Sequence, residues 1–297
     1  VIIGYCLRNQ HRGKHIITTA IEHHSVLEPI EYLVKQFGFE VTIIQPDRQV
    51  ITAQQIQEAL RNDTILVSTM FVNNETGTLL PIAEIGELLK NHPAAYHVDA
   101  VQAIGKIPII PDELGIDFLS ASAHKFHGPK GVGFLYASDA NFDSYLHGGD
   151  QERKKRAGTE NLPGIVAMVA ALKEELANHD QNYQAVNDLQ KVFLREIEGC
   201  SYYLNKGKTQ LPYVLNIGFP GQKNDLLLLR LDLAGISIST GSACTAGVVQ
   251  PSHVLKAFYG EDSHRLSESV RISLSSQNTE EEIIQLANTI KEIIGEK

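Results

Sequence analysis

Residues 120–131 read Ser120-Ala121-Ser122-Ala123-His124-Lys125-Phe126-His127-Gly128-Pro129-Lys130-Gly131. An apolar run at 116–119 leads into this stretch and another at 132–136 leads out, both with strand character. Gly128, Pro129 and Gly131 turn the backbone between them. Lys125 therefore stands where a strand gives way to a tight connection, beside His124 and Ser122. A lysine pinned there suits Schiff-base chemistry with an aldehyde cofactor, whose phosphate Ser122 and His124 would hold. An isolated His-Lys pair after a strand is more often plain exposed charge, so the reading has to be tested along the rest of the chain.

Working outward, strand-like segments at 14–21, 39–45, 64–71 and 95–98 alternate with helical periodicity at 27–34, 52–61 and 82–90, and Ser25 offers a cap for the first helix. That alternation predicts an α/β fold with a mostly parallel sheet covered on both faces. Such sheets bind ligands beyond the carboxyl ends of their strands. Those ends carry His23, then Asn73-Asn74-Glu75, then Asp99 with Gln102 a turn later, then Ser122, His124 and Lys125. A glycine-rich charged loop follows at 147–161, then helices at 163–178 and 183–197. The pattern changes near 176. We expect a large cofactor-binding domain over 1–176 and a smaller α+β domain over 177–297, with strands at 213–218, 236–239 and 270–274 and helices at 225–233, 251–258 and 279–294.

The 297 residues, 43% of them hydrophobic, suffice for a large core, and the net charge of −9 argues against a nucleic-acid scaffold. No apolar run approaches the roughly 20 residues of a membrane span, and no leader pattern opens the sequence as given. Cys6, Cys200 and Cys244 are widely spaced, which indicates neither a zinc site nor a disulfide framework and fits a reducing cytosol. His23, His24, His97, His124 and His127 lack a metal-ligand spacing, so no metal is expected. The opening Val1-Ile2-Ile3-Gly4-Tyr5 reads like the middle of an element, and we expect that a first segment is missing.

Several residues carry two readings. Asp99 either caps a helix or keeps a bound ring nitrogen protonated. His23 either caps a helix or stacks on a ring and shuttles protons. Asn74 is a turn former with a possible ligand role. Arg271, on an apolar strand, pairs either a structural carboxylate or a substrate's. Cys244 lies among small residues at 239–247, a composition that describes an accessible loop and a usable thiol.

These strings together resemble the pyridoxal-phosphate enzymes of the class V aminotransferase type, particularly the cysteine desulfurases of the nitrogen-fixation and iron–sulfur-assembly group. The resemblance rests on Glu22-His23-His24-Ser25-Val26, Val72-Asn73-Asn74-Glu75-Thr76-Gly77, His97-Val98-Asp99-Ala100-Val101-Gln102, the 120–131 stretch, Ala157-Gly158-Thr159-Glu160-Asn161, Ser242-Ala243-Cys244-Thr245, Gln250-Pro251-Ser252-His253-Val254-Leu255 and Val270-Arg271-Ile272-Ser273, in the family's order. It implies the type I fold of these enzymes, with a mostly parallel sheet of the seven-stranded type. It further implies that Lys125 holds pyridoxal phosphate, His23 stacks on its ring, Asp99 pairs its pyridinium, and Gln102 and Asn74 approach its ring oxygen. Arg271 would bind the substrate carboxylate, and Cys244 would take the sulfur of L-cysteine as a persulfide. Thr159 would reach the cofactor of a neighbouring subunit, which implies a homodimer. A sulfur-acceptor protein, either a cluster scaffold or a tRNA-thiolation enzyme, would be the partner in the cytoplasm, with no membrane and no direct nucleic-acid contact.

Two departures stand out. The family's upstream phosphate-binding turn and substrate-contacting asparagine are not in this sequence, and Ser275-Ser276-Gln277 replaces the usual Gly-Arg. The alternatives are another class V reaction (an aminotransferase or selenocysteine lyase) and a cofactor-free interaction protein.

Overall fold

The computed structural model describes residues 1–139, 141–241 and 251–295. In chain order its elements are α1 (Ile2–Asn9), β1 (His15–Thr19), α2 (His24–Phe37), β2 (Glu40–Ile44), α3 (Ala53–Ala59), β3 (Thr64–Met70), α4 (Ile82–Leu89), β4 (Ala95–Asp99), β5 (Phe118–Ser122), a 3₁₀ turn (Ala123–Lys125), β6 (Gly133–Ala137), α5 (Gln151–Lys154) and α6 (Leu162–Glu196). There follow β7 (Tyr203–Leu204), β8 (Val214–Gly218), α7 (Asn224–Leu233), α8 (His253–Tyr259), α9 (Arg265–Glu268), β9 (Ser269–Ser273) and α10 (Glu280–Ile294). They form two compact units. One comprises Val1–Gln45, Ile51–Phe71 and Leu80–Ala177; the other comprises Pro46–Val50, Val72–Leu79 and Asn178–Lys297.

In the first unit the β-branched runs build one sheet in the order β2-β1-β3-β4-β5-β6. β1 to β5 pair in parallel and β6 runs antiparallel on the edge. Every residue of β1, β3 and β4 is buried, as strands covered on both faces require. The edge strand β2 is partly exposed, which is where the sheet meets solvent. Ile16, Leu66 and Phe118 pack against Tyr5 and Cys6 of α1 and Ile30 and Leu33 of α2. Phe118 meets Tyr5 and Phe142 edge-on, at centroid distances of 5.4 and 5.9 Å. Helix α2 stops at Gly38, whose left-handed backbone (φ 66°) lets its N–H reach the Leu33 carbonyl.

The second unit carries the antiparallel sheet β7-β8-β9, with β8 fully buried. Its last helix, α10, opens on a reciprocal capping box between Thr279 and Glu282.

Three expectations change. The sheet of the first unit has six strands among the described residues, not the seven the resemblance implies; they are the ones its own apolar runs announce. The two helices expected at 163–178 and 183–197 are one continuous α6, because no proline or glycine interrupts 165–196. The segment 236–239 forms no strand and contributes only an isolated bridge from Ser239 to Arg271.

Candidate functional site

Within the first unit, the carboxyl edge of the sheet gathers the residues singled out above. β1, β3, β4 and β5 lie side by side, with Met70 of β3 in register with Asp99 of β4, and Asp99 with Ser120 of β5. Backbone bonds knit this edge: Phe71 N–H donates to the Asp99 carbonyl and Ala100 N–H to that of Ser120, at 2.9 and 3.0 Å. Asp99 and Lys125 are therefore carried out on adjacent strands.

Asp99 is 7% exposed. One carboxylate oxygen accepts the Val101 N–H at 3.0 Å, so the local turn bond expected of a capping aspartate is present. Burial raises its pKa, and the Val101 bond only partly offsets this. Below it, His97 is clamped between the hydroxyls of Ser68 (Nδ1, 2.8 Å) and Ser120 (Nε2, 2.9 Å). Desolvation lowers its pKa to about 3, so His97 is a neutral strut. Its two hydroxyl partners occupy both ring nitrogens, so it has none to offer a metal.

His23 is the N-cap of α2: its Nδ1 accepts the Ser25 N–H at 3.1 Å and meets the Ser25 hydroxyl at 2.8 Å. The cap is His23 rather than Ser25. A ring nitrogen that accepts a backbone N–H carries no proton, so in this arrangement the proton sits on Nε2. The preceding Glu22 is wholly buried and was not singled out from the sequence as a site residue. It accepts the Thr19 hydroxyl at 2.6 Å and the Met70 N–H at 2.9 Å. Burial pushes its carboxyl up to about 8, and the charge of Asp99 pushes the same way. Glu22 and Asp99 are thus two buried carboxyls that resist being ionised together. Nothing in a Glu-His pair announces that burial, which comes from the strand packing.

The outer part of the edge is different. Ser122 ends β5, and its hydroxyl meets His124 Nδ1 at 2.8 Å across the 3₁₀ turn. Lys125 closes that turn and is exposed. His124 is held below its ordinary pKa by partial burial and by the charges of Lys125 and Lys130. Those cations with the Ser122–His124 pair make an anion-friendly turn. The donor set of a buried carboxyl, an amine on a turn, and a hydroxyl–imidazole pair among cations fits an aldehyde-bearing pyridine phosphate. Gln102 lies on the turn after β4, and Thr159 is exposed on the loop before α6.

Asn74 and Arg271 belong to the second unit. Arg271 sits on β9 opposite Asn216 of β8, and its Nη1 donates to the Asn74 carbonyl at 3.1 Å. Asn73 folds the turn by accepting the N–H groups of Glu75 and Thr76, both at 2.9 Å. Gly77 completes it at φ 70°, where a Cβ would stand 2.9 Å from the Leu211 carbonyl. Buried Glu75 accepts the Ser252 hydroxyl, and its carbonyl accepts the Asn216 amide at 3.0 Å. Cys244 lies outside the described residues. Cys6 is buried and its thiol is pushed up by desolvation, as befits a core residue.

A concavity of about 480 Å³, bounded by Tyr5, Arg12, Asp112 and Asp117, opens at the opposite, amino ends of β4 and β5 and contains none of these residues.

The chain matches one family and, among others, two relatives and one solved structure, as follows. The family "Aminotransferase class-V" matches residues 1–286. The chain is similar to IscS 1 of Bacillus subtilis (strain 168), 49% identical over 299 aligned positions that cover 99% of this chain and 78% of the relative. It is likewise similar to cysteine desulfurase IscS of Dictyoglomus turgidum, 42% identical over 290 positions covering 95% and 73%. Among solved structures, a "NifS-like protein" superposes with a TM-score of 0.90 at 34% identity, covering 99% of this chain and 80% of the other.

Proposed function

Since the chain belongs to the class V aminotransferase family, alongside cysteine desulfurases of the IscS type, we propose that it is a pyridoxal-phosphate-dependent L-cysteine desulfurase with Lys125 as its cofactor lysine. The observation that carries this is the end of β5: an exposed amine on a 3₁₀ turn, a Ser122–His124 hydrogen bond beside it, and a buried carboxyl on the adjacent strand.

When bound, pyridoxal phosphate supplies an electron-withdrawing ring that accepts charge from the substrate's α-carbon. The chain's own residues do the rest. Lys125 would offer the amine that holds the aldehyde carbon, and the same amine can move a proton. Ser122 and His124 would present O–H and N–H groups to the phosphate. Asp99, costly to ionise where it stands, would be a carboxylate with a protonated ring nitrogen as its partner. His23, with its proton on Nε2, would face the ring. Gln102 and Asn74 would serve the ring oxygen, and Arg271 would take the substrate carboxylate in a bidentate pair. Cys244 would attack the substrate sulfur as a thiolate: an S–S bond forms at Cys244, the carbon–sulfur bond breaks with its electron pair kept by the substrate carbon, that carbon takes up a proton, and the remainder of the cysteine leaves as alanine. An acceptor protein, a cluster scaffold or tRNA-thiolation enzyme, then removes the sulfur in the cytosol.

The same proposal includes a homodimer. Leu162, Val166, Val169 and Leu176 recur along α6 at 61%, 69%, 42% and 49% exposure, next to the loop that bears Thr159. Such a row in water is unusual for a monomer. Among the described residues no helix is long and apolar enough to cross a membrane.

The test is an assay of alanine formed from L-cysteine with pyridoxal phosphate and a thiol reductant. The parent should form alanine; Cys244→Ser should lose turnover while retaining the cofactor's absorption. Equal turnover in that variant would remove Cys244 from the scheme.

A further inference from the structure

Beside Arg271, strand β8 carries a buried carboxamide that has none of the roles above. Asn216 stands opposite Arg271 in the β8–β9 register. Its Nδ2 donates to the Glu75 carbonyl at 3.0 Å, and its Oδ1 accepts Asn205 Nδ2 at 2.8 Å. Asn205 is buried as well; it also donates to the Ser269 hydroxyl at 2.8 Å, and its Oδ1 accepts Arg265 Nη1 at 2.7 Å. Arg265 is in turn stacked between the rings of Tyr203 and Tyr259, at 4.1 and 4.3 Å from their centroids. Carboxamide orientation is ordinarily ambiguous, but here the ends of the relay settle it. A guanidinium only donates and a backbone carbonyl only accepts, so both asparagines can point in one direction only.

The relay ends on the turn that holds Arg271, and all of its members belong to the second unit. Arg271 Nη1 donates to the Asn74 carbonyl at 3.1 Å, one residue before the carbonyl that Asn216 holds. Residues directly opposite on antiparallel strands project to one face, so the two side chains reach the turn together. The Asn74–Glu75 peptide is thus held at both polar ends, by Arg271 at its oxygen and by Asn73 Oδ1 at its N–H, 2.9 Å away. Asn216 fixes the next carbonyl and with it the tilt of this peptide. Two carboxamides sunk between strands carry a desolvation cost that leucines of the same branching would not. What they add is direction: a satisfied buried polar network specifies one arrangement of the groups it ties.

We propose that Asn216, anchored through Asn205 on the stacked Arg265, is a positioning residue for Arg271. By fixing the Glu75 carbonyl it fixes the Asn74 carbonyl to which the guanidinium is bonded, and so sets the direction in which that guanidinium faces a substrate carboxylate. A carboxylate meets both prongs of the guanidinium only when the two planes are aligned, so a tilted Arg271 loses one of two charge-assisted bonds. This role in substrate binding rests on the reading of Arg271 as the partner of the substrate carboxylate. The placement of the guanidinium itself does not, since it concerns residues of this chain alone.

The test uses full-chain Asn216→Leu, Asn205→Ala, Arg271→Leu and the Asn216→Leu/Arg271→Leu pair. With pyridoxal phosphate present, Asn216→Leu should raise the KM for L-cysteine about tenfold, the size expected on losing one hydrogen bond to a charged group. Its kcat and visible band should stay near those of the parent, because only binding common to ground and transition states is lost. Asn205→Ala should move KM the same way by less. Arg271→Leu should raise KM by about 10²-fold or more, and adding Asn216→Leu to it should raise KM no further, because the effect passes through Arg271. Without cofactor or substrate, phenylglyoxal labelling mapped by mass spectrometry should modify Arg271 several-fold faster in Asn216→Leu, with Arg8 and Arg61 at the parent's rates. Folded Asn216→Leu with KM and Arg271 labelling both unchanged would overturn the proposal, as would the same KM factor on the parent and Arg271→Leu backgrounds. Should Asn216→Leu fail to fold, Asn205→Ala decides by the same readings. Faster labelling of Arg271 in Asn216→Leu, with Arg271→Leu at the parent's KM, would uphold the placement of Arg271 and sink its reading as the substrate's partner.

Discussion

The floor and the rim of the sheet's carboxyl edge are a few residues apart and obey different physics. On the floor, Glu22, His97 and Asp99 are buried, and desolvation pushes each toward its neutral form. On the rim, Ser122, His124 and Lys125 lie on a turn with exposed charge around it. The floor is held by packing and its protonation is costly to change. The rim is held by one turn and can reach a ligand. A site that needs one fixed carboxyl and one reactive amine is served by this division, because a carboxyl left in water would not favour a protonated ring and an amine sunk in the core would not be reached.

This contrast can be broken by substitution. The largest effect should come from the rim: Lys125→Ala should abolish both the visible cofactor band and alanine formation, a loss to background. Next is the floor. Asp99→Asn keeps the shape but not the charge, so turnover should fall about 10²–10³-fold, as on losing one preorganised electrostatic group, with the band retained. If Asp99→Asn were as colourless as Lys125→Ala, the two regions would not have separate jobs.

Smaller effects sharpen the comparison. His124→Ala removes one partly exposed hydrogen bond, so pyridoxal phosphate affinity should weaken by about tenfold or less. Glu22→Gln should show only in stability. The native carboxyl titrates near 8, above its unfolded value, so its stabilising contribution is full at pH 4 and is lost as pH rises toward 8. Thermal unfolding of the parent should therefore fall between pH 5 and 8 more steeply than that of Glu22→Gln, which should melt a few degrees higher at pH 8. Parallel pH profiles would mean that Glu22 is charged in the native state after all.

Much of this is legible in the amino-acid sequence. The β-branched runs at 14–21, 64–71 and 95–98 are strands because both faces are covered, which apolar composition reports directly. The placement of His23, Asp99 and Lys125 at strand ends followed from the alternation alone. What the sequence did not disclose depends on contacts between distant segments. That Glu22 meets Met70, or that Lys106 turns back to Gln102 on a coil packed against Glu175, has no local signature. The continuity of α6 is not legible because the apolar periodicity lapses over its polar middle, at 178–183, where no proline or glycine breaks the helix. Segment 236–239 misled in the other direction: its alternation resembles a strand, yet it makes one bridge.

The central claim is that Lys125 holds the cofactor. We would add pyridoxal phosphate to the purified protein, record the absorption spectrum, reduce with borohydride and map the modified peptide. The account predicts a visible band that reduction removes, with the phosphopyridoxyl group found on Lys125. A stable band whose reduced label falls on any other lysine, Lys106 included, would contradict it.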